Sequence, residues 1–291
     1  MFPIEKIAEI EANPEKFKLV QEVPFLSITE FPCQLHDEVG DEVLISVIDC
    51  ETTGFHEQDE MIEFGWVKCL YSPSLDKLTT LVSMGSMYQQ PSRPIPKIIT
   101  EITGIDDSMV KEQSFDISLV GDVLLTGEPL VLAHNKHFDE RFVEQTFGQN
   151  ILFGRSVKWG CTINDMDWKE RGFGSNKLEL LLLQSNYFYP AHRASIDCLA
   201  LAFLMSITPK AFKRVIDRIN TQFYMVTALG SPFESKDSLK QIGFKWNNDK
   251  RSWEIRASED ELASVKANLS SLYRLGGEMA HIEPISIATK Y

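Results

Sequence analysis

Residues 43–51, VLISVIDCE, constrain the chain more than any other stretch. The aliphatic run from Val43 to Ile48 reads as a buried strand, and it stops on two acids, Asp49 and Glu51. Side chains on a strand alternate faces, so Asp49 and Glu51 share a face and Cys50 points to the other. Two carboxylates held that close repel each other. At an ordinary strand end such acids meet water. In a packed sheet the pair needs a proton on one member, a basic group between them, or a cation that bridges them.

The flanking sequence predicts a mixed α/β fold. MIEFGWVKCLY and KLTTLVSMGSMYQ read as two further strands. The turns before them, GFHEQDE and SPSLD, are short enough for hairpins, so the three strands are expected to form an antiparallel meander. Gly65 in the second strand would let another element approach closely. PSRPIPKIITEITGI reads as loop and short helix, SFDISLVGDVLL as helix, and PLVLAHN as a fourth apolar run. KHFDERFVEQTF is an amphipathic helix with Phe138, Phe142 and Val143 on one side. KLELLLLQSNY is another helix, and HRASIDCLALAFLMSI begins as a loop and continues as a helix stopped by Pro209.

Around this α/β domain (42–208) we expect a helical lead-in (1–41), a helical linker (209–221), a small α+β module (222–275) and a tail (276–291). In the module, FYMVTALG reads as a strand, KDSLKQIGF as a short helix, and FKWNNDKRSWEIR as a hairpin through Asn247-Asn248-Asp249. Ser258 and Glu261 form a capping box for the last helix.

Bulk properties exclude some functions. The net charge of −13 argues against a protein that coats long nucleic acid by neutralising phosphates. It leaves room for an enzyme that grips one strand end. The five cysteines form no C-x-x-C pair and are odd in number, so we read them as reduced thiols. No apolar run approaches the ~18 residues of a membrane helix, and the N-terminus lacks the apolar core of a signal peptide. A cytoplasmic protein without a membrane partner is the expectation.

Two more motifs bear on the paired acids. LVLAHNKHFDERF places Asp139 just after an apolar run, near a helix start. HRASID places His192 in a loop and Asp197 about one turn into the next helix. Both acids lie beside apolar sequence, where a carboxylate is costly unless paired or ligated. Asp49, Glu51, Asp139 and Asp197 are therefore expected to converge with one histidine, and all-oxygen ligation suits Mg²⁺ or Mn²⁺.

The order Asp49-Cys50-Glu51-Thr52-Thr53-Gly54, then Asn135-Lys136-His137-Phe138-Asp139-Glu140-Arg141-Phe142, then His192-Arg193-Ala194-Ser195-Ile196-Asp197 resembles the DEDDh (DnaQ-like) 3′→5′ exonucleases. The epsilon proofreading subunit of bacterial replicative DNA polymerase belongs to this group. IPKIITEITGI also resembles the segment between the first two motifs, with Thr103 standing where many members carry histidine. The resemblance covers residues 42–208 and implies a ribonuclease-H-like mixed-sheet exonuclease domain with two divalent metal ions. It implies that Asp49 bridges both ions, that Glu51 and Asp197 complete the site for the attacking water, and that Asp139 supports the second ion. His192 would take a proton from that water, a general-base task that histidine commonly performs.

Thr52, Thr53 and Gly54 fit a turn whose backbone N–H groups meet the terminal nucleotide. Phe55 either wedges between the last two bases or packs beneath the turn. Asn135 either bonds near the site or caps the strand end. His134 and His137 are assigned to no metal, and Glu63 is read as structural.

The module interleaves Lys and Arg with Phe244, Trp246 and Trp253. From 231 to 256, six basic residues face four acidic ones. The pattern resembles small accessory modules beside nucleic-acid enzymes. It would bind single-stranded nucleic acid or a duplex junction, dock a protein partner, or keep both tryptophans as core.

The expected function is metal-dependent removal of nucleotides from a DNA 3′ end, in repair or proofreading, with release of nucleoside monophosphates. Its rivals are an exoribonuclease trimming RNA 3′ ends and a non-catalytic protein that holds strand ends.

Overall fold

The computed structural model describes residues 4–148, 150–152 and 157–285. The chain divides into two compact units, 1–216 and 217–291. Among the described residues, no single helix is long and apolar enough to cross a membrane.

The first unit opens with the helix α1 (Ile7–Ala12) and two short strands, β1 (Gln21–Glu22) and β2 (Cys33–Gln34). The long strands follow: β3 (Val43–Thr52), β4 (Met61–Ser72) and β5 (Lys77–Tyr88). Next come α2 (Lys97–Thr103), α3 (Asp107–Val110), α4 (Ile117–Leu125), β6 (Leu130–Ala133) and α5 (Lys136–Phe147). The unit closes with β7 (Lys158–Cys161), α6 (Leu178–Gln184), β8 (Tyr187–Phe188), α7 (Ala194–Ile207) and the start of α8 (Ala211–Asn220).

Six strands form one mixed sheet in the order β2-β5-β4-β3-β6-β7. The meander is as the turns predict: β3 and β4, then β4 and β5, pair antiparallel. The apolar run at Leu130–Ala133 adds a strand parallel to β3, and β7 continues in parallel beyond it. One face carries α4 and α5, whose Val120, Val123, Phe142 and Val143 pack with Ile48, Cys50 and Phe64. On the other face lies α7, with Cys198 through Met205 buried along its length. A sheet covered on both faces is why β3 and β4 read as nearly continuous apolar runs.

Three expectations about boundaries change, two of them in this unit. The stretch 4–41 is built into the first unit rather than leading up to it. Cys33–Gln34 pairs with β5, Gln21–Glu22 pairs in parallel with β8, and the Phe25 ring meets Phe203 edge-on at 5.1 Å. Strands of two residues have no period to read, so the sequence shows only helix there. The expected linker helix is α8, and the unit boundary falls inside it.

The second unit holds β9 (Phe223–Thr227), α9 (Lys236–Gln241), β10 (Lys245–Asn247), β11 (Ser252–Ser258), α10 (Leu262–Leu272) and β12 (His281–Pro284). Its sheet runs β10-β11-β9-β12 around a core of Val226, Ala228, Leu239, Phe244, Ala257 and Leu269. The capping box at Ser258 and Glu261 is present. The expected tail is corrected in part: His281–Pro284 pairs with β9 as an edge strand of this sheet. The rest of that tail from residue 286 lies outside the described residues, as do residues 1–3 of the lead-in.

Candidate active site

The site sits where β3 ends. Register places Asp49 opposite Gly65 and Glu51 opposite Glu63 on β4. Asp49 and Glu51 thus lie on the α7 face of the sheet, and Cys50 packs among the α4 and α5 side chains. Gly65 lets α7 come down onto the strand: a Cβ there would lie 2.3 Å from the Ser195 backbone nitrogen and 2.4 Å from the Ala194 carbonyl carbon. The close approach expected at Gly65 is therefore the seating of the third motif on the first.

That seating brings Asp49, Glu51 and Asp197 together. Each offers a carboxylate oxygen, and these atoms lie within 4.8 Å of one another. Asp197, in the first turn of α7, accepts the Arg193 backbone N–H at 3.0 Å and the Tyr189 hydroxyl at 2.7 Å. Glu63 is fully buried, accepts the Ala194 N–H at 3.1 Å and has Arg193 Nε 3.5 Å away. The Arg193 guanidinium also donates to the Tyr88 hydroxyl. These contacts pin the loop from Tyr189 to Arg193 at both ends. Between them His192 is exposed and adopts φ +70°, a left-handed conformation that a non-glycine residue holds only when its surroundings enforce it.

Asp139 is buried in the first turn of α5 on the Cys50 side of the strand end. It is hydrogen-bonded to Cys50, and its Oδ1 has no partner. The four expected carboxylates thus appear as a triad with a fourth acid alongside, close enough to repel Asp49.

The electrostatics sort the three possibilities that the paired acids raise. Burial, then repulsion from Asp139, Asp197, Glu51 and Glu63, holds the Asp49 carboxyl well above the usual carboxylate range. Burial, then Asp197, Glu63 and Asp139, pushes Glu51 up to about 8, with Arg193 pulling the other way. Burial raises Asp139 to about 8 against its hydrogen bonds to Cys50. Asp197 is also raised by burial, against the Tyr189 hydroxyl and nearby N–H groups. One arginine does not offset this much negative charge, so protons or cations must. An orphaned buried oxygen beside three converging carboxylates fits hard divalent cations, which take oxygen ligands.

The turn after β3 is tightly built. Thr52 Oγ1 donates to the Gly54 carbonyl at 2.6 Å, and Thr53 Oγ1 donates to Asp59 at 3.1 Å and accepts the Glu60 N–H at 2.9 Å. The Thr53 N–H donates to the Glu60 carbonyl at 2.9 Å. That amide, expected to face a nucleotide, is therefore spent on the turn. A Cβ at Gly54 would collide with the Asp59 carboxylate at 2.5 Å. Arg141 and Gln145 on α5 hold the turn from outside through the Phe55 and Asp59 carbonyls.

Phe55 is 74% exposed, which removes the core alternative. Its ring leans on Phe138 at 5.9 Å. The Asn135 side chain makes no capping hydrogen bond, and its backbone carbonyl accepts from Phe138 and Asp139. His134 is satisfied by Thr162 and the Asn176 carbonyl. Thr103 closes its own helix end, bonding the Ile99 carbonyl and the Ile105 N–H. Glu63, a polar residue in an otherwise apolar strand, is structural as read, and what it holds is Arg193 and the first residue of α7. Tyr189 is the residue that the sequence does not point to. A lone tyrosine gives no signal.

Comparisons with known proteins bear on the family and the fold. The family model RNase_T, described as an exonuclease, matches residues 46–205. A DNA polymerase III PolC-type of Caldanaerobacter subterraneus subsp. tengcongensis is 38% identical over 104 residues, 34% of this chain and 7% of that protein. The Clostridium perfringens polymerase of the same type is 32% identical over 157 residues, 52% of this chain and 10% of its own length. The matches thus span a tenth or less of these polymerases. The crystal structure of E. coli Exonuclease I in complex with a dT13 oligonucleotide shares the fold at a TM-score of 0.53 and 14% identity, covering 85% of this chain and 64% of that one. The RNase_T match covers more than half of the chain and contains all three motifs, so this chain belongs to the RNase_T exonuclease family, the DnaQ-like group that its motifs resemble.

Proposed function

We propose that the chain hydrolyses the terminal phosphodiester of DNA in the 3′→5′ direction and releases nucleoside 5′-monophosphates. The observation that carries this reading is the meeting of Asp49, Glu51 and Asp197 within 4.8 Å at the end of one strand. Asp49, Glu51 and Asp197 would hold one divalent ion, and Asp49 with Asp139 a second. Mg²⁺ is the first choice and Mn²⁺ the next. When bound, the ions supply Lewis acidity and charge neutralisation at the scissile phosphate. His192, exposed on its strained loop, takes the proton from the attacking water. Arg193, through Glu63 on β4 and Tyr88 on β5, ties that loop to the sheet. Phe55 offers a face on which the terminal bases stack without regard to sequence. The turn built by Thr52, Thr53 and Gly54 presents Phe55, and Asn135, exposed at the start of α5, is a further candidate contact to the strand. The preference for DNA rests on the relatives, which are DNA polymerases. We place the protein in the cytosol, where its five unpaired thiols stay reduced.

The test compares matched 5′-labelled single-stranded DNA and RNA with Mg²⁺, using the wild type beside Asp49→Ala. Stepwise shortening of the DNA, absent in the variant, is the expected result. Equal or faster loss of RNA makes the protein an exoribonuclease. Tight binding of strand ends without metal-dependent cleavage makes it a non-catalytic holder.

A further inference from the structure

The second unit has a cavity of about 630 Å³, between the loop after β9 and the β10–β11 hairpin. That is within the ~300–1,000 Å³ of ordinary ligand pockets. Its walls are aromatic. Phe233 is 76% exposed and Trp246 47% exposed. Trp246 sits opposite Trp253 across the hairpin, with the rings edge-on at 5.4 Å. Trp253 packs against the core of the unit, so it anchors Trp246 from behind. One of the two tryptophans is therefore partly core and the other is presented to solvent.

The same walls carry positive charge. Lys236, Lys240 and Arg251 line the cavity, and none of the described residues lining it is acidic. Lys236 Nζ lies 4.5 Å from the Phe233 ring centroid and Lys240 Nζ 5.9 Å from that of Trp253. In a chain of net charge −13 this is a local reversal of sign. A ligand that complements it must offer flat apolar faces and negative charge at short, regular intervals. Single-stranded nucleic acid does both, with one π-face and one phosphate per nucleotide. A duplex keeps its base faces stacked inside, and an acidic peptide lacks the flat faces.

We propose that this groove is a second strand-binding site, in which bases stack on Trp246 and Phe233 and phosphates meet Lys236, Lys240 and Arg251. It does not depend on a strand end, and it stands apart from the hydrolysis proposed above.

A circular oligothymidylate tests it, because a closed circle has no 3′ terminus for an exonuclease site to hold. The full-length chain is titrated with the labelled circle in EDTA at low salt. Binding is expected, with log K falling against log salt at a slope near about −2 for three phosphate contacts on a single strand. Lys240→Gln reduces the slope by about 0.7. Trp246→Ala weakens binding by about tenfold or more, and Trp246→Phe restores most of it. Phe233→Ala, at a more exposed position, repeats the loss if Trp246→Ala does not fold. Hydrolysis of a linear strand by the same proteins is followed separately. A wild type that leaves the circle unbound overturns the proposal and points to a protein occupant. So does binding that Trp246→Ala and Phe233→Ala both leave unchanged.

Discussion

Asp49 stands among like charges in a place that burial makes poor in solvent, so its carboxylate is unfavourable by itself and useful with a cation. Asp49→Asn keeps the shape and removes the charge. Metal-dependent hydrolysis should fall by about 10³-fold or more, the scale of several kcal/mol of lost transition-state stabilisation. The melting temperature in EDTA should hold or rise, because an acid buried against Asp139, Asp197 and Glu51 is replaced by a neutral amide. Rates and thermal melts on one preparation check both halves. Tyr189 works through Asp197, to which its hydroxyl donates at 2.7 Å. A hydrogen bond to a charged group is worth about 1.5–3 kcal/mol. Tyr189→Phe should therefore weaken Mg²⁺ activation about tenfold, with most of the rate recovered at saturating metal, and a Mg²⁺ titration of the rate reads this directly. The acids of the motifs were legible because chemistry restricts which residues can hold a cation. Tyr189 was not, because nothing in a lone aromatic residue tells which acid it will meet after folding.

Elements position these residues through one crossing, α7 on β4. Gly65→Ala would push a methyl group into the Ala194–Ser195 backbone, which cannot swing aside as a side chain would. Overpacking of this kind costs about 1–3 kcal/mol, so the melting temperature should drop by several degrees. The activity should suffer more, by about 10²-fold, because a shift of ~1 Å in catalytic groups carries that penalty. Steady-state rates beside melting curves separate the two effects, and a loss of rate no larger than the loss of folded protein would contradict the argument. The meander, the helix at Lys136–Phe147 and the helix stopped by Pro209 were readable from period, turns and caps. Cys33–Gln34, Lys158–Cys161 and His281–Pro284 were not. They are strands of two to four residues whose pairing is set by the longer neighbours rather than by any pattern of their own.

Across the whole molecule the surplus of negative charge makes stability and metal binding compete for the same groups. Glu51 and Asp139 sit at about 8 in the folded chain, against ordinary values of 4.5 and 3.8. Between those limits the folded state binds more protons than the unfolded chain, so stability must fall as pH rises. Without divalent ions, the contribution of these two groups is fully present below their unfolded values. It is lost as pH climbs through about 8. A cation competes with those protons. Near about pH 6 it has to displace them, whereas near about pH 8.5 it meets carboxylates that are already ionised and repelling one another. The rise in melting temperature given by a fixed Mg²⁺ concentration should therefore grow from about pH 6 to about pH 8.5, following the tighter binding to the folded state. Asp49→Asn should flatten that growth. Melts in EDTA and in Mg²⁺ across the range decide the matter. A metal-induced shift that is the same at every pH would mean that the ion binds away from these acids, and that their raised values reflect burial without ligation.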